Sequence, residues 1–405
     1  MGLFGNNISR RGLFRASAAG AATATTIGLL AGCRHRGDEV SDPVVVDERA
    51  ANNILAEDSA YKEVDLALAE QGNWTLPVGT VFRQTAGTWV PGLAAGSSAY
   101  PVVKAVALST QTGTLADVVT SLVIGDEPNM AIYDVRCSDQ VYAWVEMDML
   151  KRTWALQAQR FADGAVSGDV STLWTGDSEW DPPLFAVVGD AVIWQVMPAI
   201  SGSHTRDHSF CYLWHMGDRD AQAVVESPGR FAAAPAISGS TITLAPRVRA
   251  DEGVYYGITA YNLGDDLATI VDQLVLPQSV RPFRAVRMGD RFAFSVEANY
   301  SSGGLLGQMG TYIGMGDGPF ITLVREPAAQ VAGTNDLFII KSRASYFVVD
   351  TARETYSILT ATNRCVDYGE YPASEGICSQ FVTFATVKDA TTGYPSTVSV
   401  RSFAL

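Results

Sequence analysis

Beyond about residue 72, apolar positions come in short runs rich in Val, Ile, Tyr, Phe and Trp, separated by Gly, Asp, Pro and Ser. Runs of this kind between turn-forming residues predict β-strands, and no stretch carries the 3.6-residue period of an amphipathic helix. The runs themselves recur. "CSDQVYAW", "VVGDAVIW", "AISGSTITL", "VRMGDRFAF" and "AGTNDLFII" each place the end of an apolar run, a turn and a second apolar run in the same order. Their turn positions, Asp139, Gly189, Gly239, Gly289 and Asn335, are spaced 50, 50, 50 and 46 residues apart. An apolar residue follows each turn at a constant offset: Trp144, Trp194, Leu244, Phe294 and Ile340.

The second half of the unit recurs as well. "YLWHMGDRDAQAVVE", "ITAYNLGDDLATIVD" and "TYIGMGDGPFITLV" each join two strands at a Gly-Asp turn, at Gly217, Gly264 and Gly316, and "FVVDTARETYSIL" is a variant around Asp350. A unit of four antiparallel strands at this period predicts the blade of a β-propeller. A blade buries both faces only by stacking on its neighbours, so closure of the ring stabilises the whole. Five units are clear, and "VKAVALSTQTGTLADVVTSLV" (Val103–Val123) supplies the paired outer strands of an earlier one. The tail "FVTFATVKDATTGYPSTVSVRSFAL" provides strands for a last blade, completed by a strand from the region between Tyr61 and Thr80. The expectation is an all-β propeller over residues 76–405, with seven blades first and six as the alternative.

This layout resembles the TolB-like and WD40-like propellers. The Trp-Ser-Pro-Asp-Gly turn of TolB repeats survives here in fragments, such as "EWDPPLFAVVGD" (Glu179–Asp190). The resemblance implies an architecture and leaves the ligand open.

The chain before this domain carries an address. Ser9 to Arg15, with Arg10 and Arg11 followed by Gly12, Leu13 and Phe14, resembles the twin-arginine export signal, and a mild apolar stretch runs from Ala16 to Ala31. Leu30, Ala31, Gly32 and Cys33 resemble a lipobox, which implies cleavage before Cys33 and acylation of its thiol and new amino terminus. The expected division is a signal peptide over 1–32, a lipidated N-terminus and linker over 33–75, and the domain thereafter. The expected location is extracytoplasmic, on a bacterial cell membrane through lipidated Cys33 and without a spanning helix. Alternatively, Arg10 and Arg11 are ordinary charges of a general secretory signal, which also leads out of the cytoplasm. The first part of Arg34–Gly72 reads as a tether, and its later "VDLALA" (Val64–Ala69) as either a short helix or an edge strand.

The net charge is −14, and loss of Arg10, Arg11 and Arg15 with the signal peptide takes it to −17. Such a balance argues against nucleic acid as a partner, since phosphate binding needs a basic patch. Of five cysteines, Cys33 is assigned to lipid. Cys365 and Cys378, in "NRCVDYGEYPASEGICSQ", are candidates for a disulfide that staples a long loop, the other reading being two free thiols. Cys137 and Cys211 sit in apolar strands and read as buried thiols.

Within each unit the first-to-second and third-to-fourth strand links are tight turns on one face, whereas the remaining links are long and lie on the other. Long loops on a rigid scaffold are where binding concentrates. The candidates on this loop face are Trp180, Asp181, His204, His208, Arg247, Arg249, Asp251, Arg281, Glu297 and Tyr300, offering arginine forks for anions and aromatic faces for sugars or side chains. The bland reading for each is a solvated loop residue. His204, His208, Cys211 and His215 cluster in sequence, but a strand sends alternate residues to opposite faces, so no metal site is assigned. "GMGDGP" (Gly314–Pro319) lacks the helix and the Lys-Ser/Thr of a phosphate loop and reads as a hairpin turn.

No nucleophile elbow, zinc-protease motif or EF-hand loop is present. No catalytic residue or cofactor is therefore assigned. The leading function is a membrane-anchored binding protein or scaffold whose loop face holds a protein, peptide or glycan. The alternative is a propeller enzyme, such as a calcium-dependent lactonase or a polysaccharide hydrolase or lyase, using axial groups such as Asp134, Arg136, Arg284 and Arg287. Three or more acidic or histidine side chains converging at the channel mouth would favour the enzyme, and an apolar or aromatic patch on the loop rim would favour binding.

Overall fold

The computed structural model describes residues 40–405 except 86, 97–100, 126, 325–329 and 367–368, so Arg10, Arg11, Cys33 and the expected signal peptide lie outside the described residues. Its regular structure is strand, with only short 3-10 turns and no α-helix among the described residues. Six blades are built from consecutive chain, each an antiparallel sheet whose first strand lies innermost. The first blade comprises Thr80–Phe82, Trp89–Ala94, Lys104–Ser109 and Leu115–Val119. The second holds Met130–Cys137, Val141–Asp148, Trp154–Ala162 and Ala165–Gly176; the third, Leu184–Val188, Ala191–Val196, Ser209–His215 and Gln222–Ser227. The fourth runs through Ala236–Ser238, Thr241–Leu244, Tyr255–Asn262 and Ile270–Val275; the fifth, Arg284–Met288, Arg291–Val296, Gly310–Gly314 and Phe320–Val324. The sixth has Val331–Gly333, Leu337–Lys341, Ser345–Asp350 and Thr355–Thr360.

The expectation of seven like blades is corrected to six contiguous units. The remaining sheet is a composite whose strands, Tyr371–Pro372, Gln380–Lys388, Pro395–Ala404 and Glu70–Pro77, come from both ends of the domain. Its outer strand, Glu70–Pro77, pairs antiparallel with Pro395–Ala404, from Glu70 opposite Phe403 to Pro77 opposite Thr397. The ring is thus fastened by the region between Tyr61 and Thr80 that the pattern proposed.

The repeating turn glycines have a backbone cause. Gly189, Gly239 and Gly289 have φ of 53°, 57° and 62°, the left-handed region that a side chain disfavours. Apolar cores fill the spaces between neighbouring sheets. Trp194 of the third blade packs with Val145 and Leu156 of the second, Ile242 of the fourth packs with Ile193 and Leu213 of the third, and Phe82 of the first packs with Phe384 and Val400 of the composite sheet. Trp144 and Trp194 fill space between sheets as their periodicity suggested, with Trp194 stacked on Tyr212 at 5.7 Å.

The segment read as a tether is docked from about residue 41 onward, where the Ser41 N–H bonds Gln273. Val44 donates to the Val275 carbonyl, Ala51–Asn53 adds a parallel strand outside the fifth blade, and Lys62–Glu63 adds one outside the sixth. "VDLALA" forms neither helix nor strand. Cys365 and Cys378 are free thiols, which corrects the disulfide. Their surroundings explain it: Cys365 faces Val387 across an isolated bridge and its Sγ donates to the Thr362 carbonyl, whereas Cys378 packs against the sixth blade through its N–H to Gly333. Cys137 and Cys211 are buried, and burial pushes both thiols up. "GMGDGP" is a hairpin between Gly310–Gly314 and Phe320–Val324.

Candidate functional site

The loop face carries an open groove of about 440 Å3 between the second and third blades. Its apolar wall is set by strand ends. Tyr133 lies near the start of the innermost second-blade strand, Met147 and Met149 flank the end of the next, and Leu184 opens the third blade. Met197 follows the third blade's second strand and closes the far side. Tyr133, Met149 and Leu184 are 46%, 37% and 38% exposed, unusual for side chains of this type beside a packed core. Leu150 and Ile200, on loops of the same face, are 75% and 79% exposed and extend the apolar rim.

Asp148 shapes this wall. Its carboxylate accepts from the N–H groups of Leu150 and Lys151, both at 2.9 Å, so the link folds tightly and presents Met149 and Leu150 outward. The backbone bonds hold its carboxyl below the usual carboxylate range.

A charged rim borders the apolar wall. Arg230 donates from Nη2 to Asp181 at 2.6 Å and from Nη1 to the Pro198 carbonyl, which fixes it. Arg152 stands 3.9 Å from the other oxygen of Asp181, too far for a hydrogen bond, and its side chain is 53% exposed. Asp181 is held in turn by its N–H to Met197. Arg230 is therefore hydrogen-bonded to Asp181, whereas Arg152 makes only a long ion pair with it.

The neighbouring loop is pinned rather than mobile. Glu179 accepts from the Ser203 N–H at 2.8 Å and from its hydroxyl at 2.7 Å, which keeps the carboxyl below its ordinary range. Trp180 stacks on His204 at 5.4 Å, and the Trp180 carbonyl accepts from the Trp154 indole at 3.0 Å.

No family model matches the chain, and no curated protein matches it in sequence. Among solved structures it is similar to the acylaminoacyl peptidase of Pyrococcus horikoshii, at 9% identity over 64% of this chain and 43% of that one, with a TM-score of 0.41. It is similar too to the β-propeller domain of the Trilobed protease from Pyrococcus furiosus, at 8% identity over 63% and 79%, TM-score 0.42. For puromycin hydrolase the figures are 12% identity, 86% and 54%, and 0.46. The chain spans about half the length of the two enzymes. Likeness this distant accompanies a ring of small sheets and carries no argument about chemistry.

The remaining sequence candidates disperse. His208 pairs with Glu226, and Arg249 grips Glu252 at 2.9 Å and Asp42 at 3.0 Å, so it fastens the N-terminal segment instead of awaiting a ligand. Arg247 sits on a short strand against the fourth blade, and Arg281 donates to the Ala232 carbonyl. Tyr300 packs on the core between the fourth and fifth blades, while Asp251 and Glu297 are exposed loop residues. Only Asp181 lines the groove, with Trp180 and His204 beside it. The groove's methionines went unread because Met147 and Met149 look like strand core; the missed signal is "MDML", an apolar run continuing through a turn.

On the axial side, Asp134 is clamped by Arg83 at 2.6 Å and Arg136 at 2.9 Å. Burial opposes its charge, but the two guanidiniums prevail and hold its carboxyl below the usual range. No group of three metal-ligating side chains converges among the described residues.

His215 lies on the opposite, tight-turn face, far from any metal role. Its Nδ1 meets Asp190 and its Nε2 meets Asp266, both at 3.0 Å, joining the third blade to the fourth. Burial disfavours its charge, yet the two carboxylates outweigh burial and raise its pKa. A raised folded-state pKa stabilises fully below the unfolded value of about 6.5 and is lost as pH rises through the folded value. Thermal melts from pH 5.5 to 8.5 should thus show wild type losing its advantage over His215→Gln as pH rises; a constant difference would contradict this.

Proposed function

We propose that this protein is an extracytoplasmic binding protein whose loop-face groove receives an apolar side chain of a partner protein or peptide. The observation that supports the reading is the juxtaposition of Tyr133, Met149 and Leu184, exposed on the rigid ring, with the loosely held Arg152. Methionine side chains adapt to varied apolar shapes, and the arginine gives a docked segment a polar anchor. Apolar surface on the loop rim, with no converging acid and histidine cluster among the described residues, favours binding over the enzymatic alternative.

A photo-crosslinking residue placed at Met149 tests this against one at Tyr394, a 75% exposed residue on the turn between the last two strands. In native membranes the partner should be captured from position 149 and not from 394. Equal capture from both, or none from 149, would refute the groove.

The address belongs to the same proposal. Arg10 and Arg11 direct export, and acylated Cys33 holds the ring at the membrane surface. Cys33→Ser should abolish incorporation of labelled fatty acid and move the protein to the soluble fraction, while Arg10→Lys with Arg11→Lys should leave it unexported; unchanged fractionation would count against the anchor.

A further inference from the structure

Residues 64–69, "VDLALA", set Val64, Leu66 and Leu68 at every second position, the alternation of a strand, yet form none. They are reached through a ladder. Lys62–Glu63 pairs parallel with the outer strand of the sixth blade, the Lys62 N–H bonding the Glu354 carbonyl at 3.0 Å and the Val64 N–H the Tyr356 carbonyl at 2.8 Å. Beyond Val64 the ladder stops, and the Leu66 carbonyl accepts from the Ser357 hydroxyl instead. The cause lies downstream: Leu68 packs on the core between the sixth blade and the composite sheet, and the Ala69 carbonyl accepts from Ala404, so the chain is drawn off toward Glu70–Pro77.

What this leaves is an open edge. Lys62 and Val64 give their N–H groups to the blade, so the alternate residues turn theirs outward, and the N–H groups of Asp65 and Ala67 make no hydrogen bond among the described residues. Residues 62–67 are all exposed. Val64, Leu66 and Ile358, exposed despite being large and aliphatic, line an open groove of about 440 Å3 with Ser357, and Glu63 and Asp65 complete its walls. Exposed edges are commonly guarded by a lysine or a proline. Here Lys62 turns its ammonium back to the Ser59 carbonyl at 2.8 Å, and the groove itself is bordered by acids alone.

We propose that residues 63–67 are a second docking edge, which takes an extended partner segment alternating apolar residues with lysine or arginine as a further strand outside the sixth blade. The free main-chain groups supply the ladder, the aliphatic groove receives alternate side chains, and Glu63 and Asp65 meet the cations between them. Charge selects this occupant over a second copy of the chain. Two copies joined through the edge would set Glu63 and Asp65 against the same acids, in chains that each carry a net charge of −14, and like charges facing across strands destabilise the pair. The edge belongs to a different part of the ring from the groove of Tyr133 and Met149, so the two sites are independent.

Fluorescence anisotropy of a labelled octapeptide alternating Lys and Val, titrated with the full chain, tests the assignment. Two comparators separate its parts: an octapeptide alternating Glu and Val, and the Lys-Val peptide with alternate amides N-methylated, which keeps charge and apolar surface but cannot complete a ladder. The Lys-Val peptide should bind, and each comparator should bind at least about tenfold more weakly. Asp65→Lys should narrow or invert the preference between the Lys and Glu peptides, and Leu66→Gln should weaken the Lys-Val peptide several-fold; both residues are exposed, so the variants report without disturbing the core. Met149→Asp should leave the titration unaltered. Absence of Lys-Val binding at millimolar concentration, equal binding of either comparator, or an Asp65→Lys chain with the wild-type preference would overturn the proposal. So would a dimer of the chain alone that Leu66→Gln dissociates, since a second copy would then hold the edge.

Discussion

Replacing Glu370 by alanine should destabilise the ring by about 3–5 kcal/mol, the usual cost of leaving one member of a buried ion pair alone. Glu370 is 1% exposed and sits at the composite sheet that joins the domain's ends. Its carboxylate accepts from Arg401 at 2.6 Å, from the Thr383 hydroxyl at 2.9 Å, and from the Thr362 N–H and hydroxyl at 2.9 and 2.5 Å. Arg401 belongs to Pro395–Ala404 and also donates to the Thr360 carbonyl of the sixth blade, so the pair ties the composite sheet to its neighbour. Without Glu370 the guanidinium would be left in a site where its side chain is only 13% exposed. Glu370→Gln, which keeps one of the two acceptor oxygens, should lose less. Chemical denaturation of both variants checks the order.

The pH dependence of that contribution follows. Burial raises the Glu370 pKa, but the hydrogen bond from Arg401, the bond from Thr362 and the Arg401 charge together bring it below the ordinary value. A depressed folded-state pKa contributes stability above the unfolded value of about 4.3 and loses it as pH falls through the folded value. The wild-type advantage over Glu370→Gln should therefore shrink on acidification below about pH 4; an advantage that grows would contradict the pairing.

Removal of the fastening strand should have a comparable or larger effect. A chain beginning at Val78 lacks Glu70–Pro77 and leaves Pro395–Ala404 as a bare edge, with Val398 and Val400 losing cover from Leu76 and Trp74. Burial of those two side chains is worth about 3 kcal/mol before any ladder bond is counted. In a domain of this size that corresponds to a melting point lower by roughly 4 °C, and an unpaired edge invites association. A chain beginning at Val40 keeps both the strand and the docked N-terminal segment and should melt like the full chain; one beginning at Ala69 keeps the strand alone and separates the two contributions. If the Val78 chain melts with the Ala69 chain and stays monomeric, the strand is not the fastener.

Much of this architecture was legible because a propeller repeats its local rules. The glycine at the first turn needs positive φ in three successive blades, and the large apolar residue five positions later, Trp194, Leu244 and Phe294, is buried each time. The period also marks contacts that a linear reading overlooks. Ser138 and Gly189, Arg230 and Asp181, and His215 and Asp266 are partners lying 51, 49 and 51 residues apart, one repeat from blade to blade. His215 looked like a member of a local histidine cluster; its actual partners are the neighbouring turns. Arg249 looked like a rim arginine, but its partner Asp42 lies 207 residues away, beyond any repeat register.

By itself, then, the sequence determined the strands, their tight turns, the four-stranded unit and the asymmetry between a short-turn face and a long-loop face, because each depends on residues adjacent in the chain or one period apart. Only the tertiary structure decided which terminal strand fastens the ring, how the N-terminal segment runs along the fifth and sixth blades, which methionines line an open groove, and that residues 373–377 link the first, fourth and sixth blades. Those outcomes depend on groups brought together from distant and non-equivalent parts of the chain, where no periodicity acts and only packing and charge select the partner.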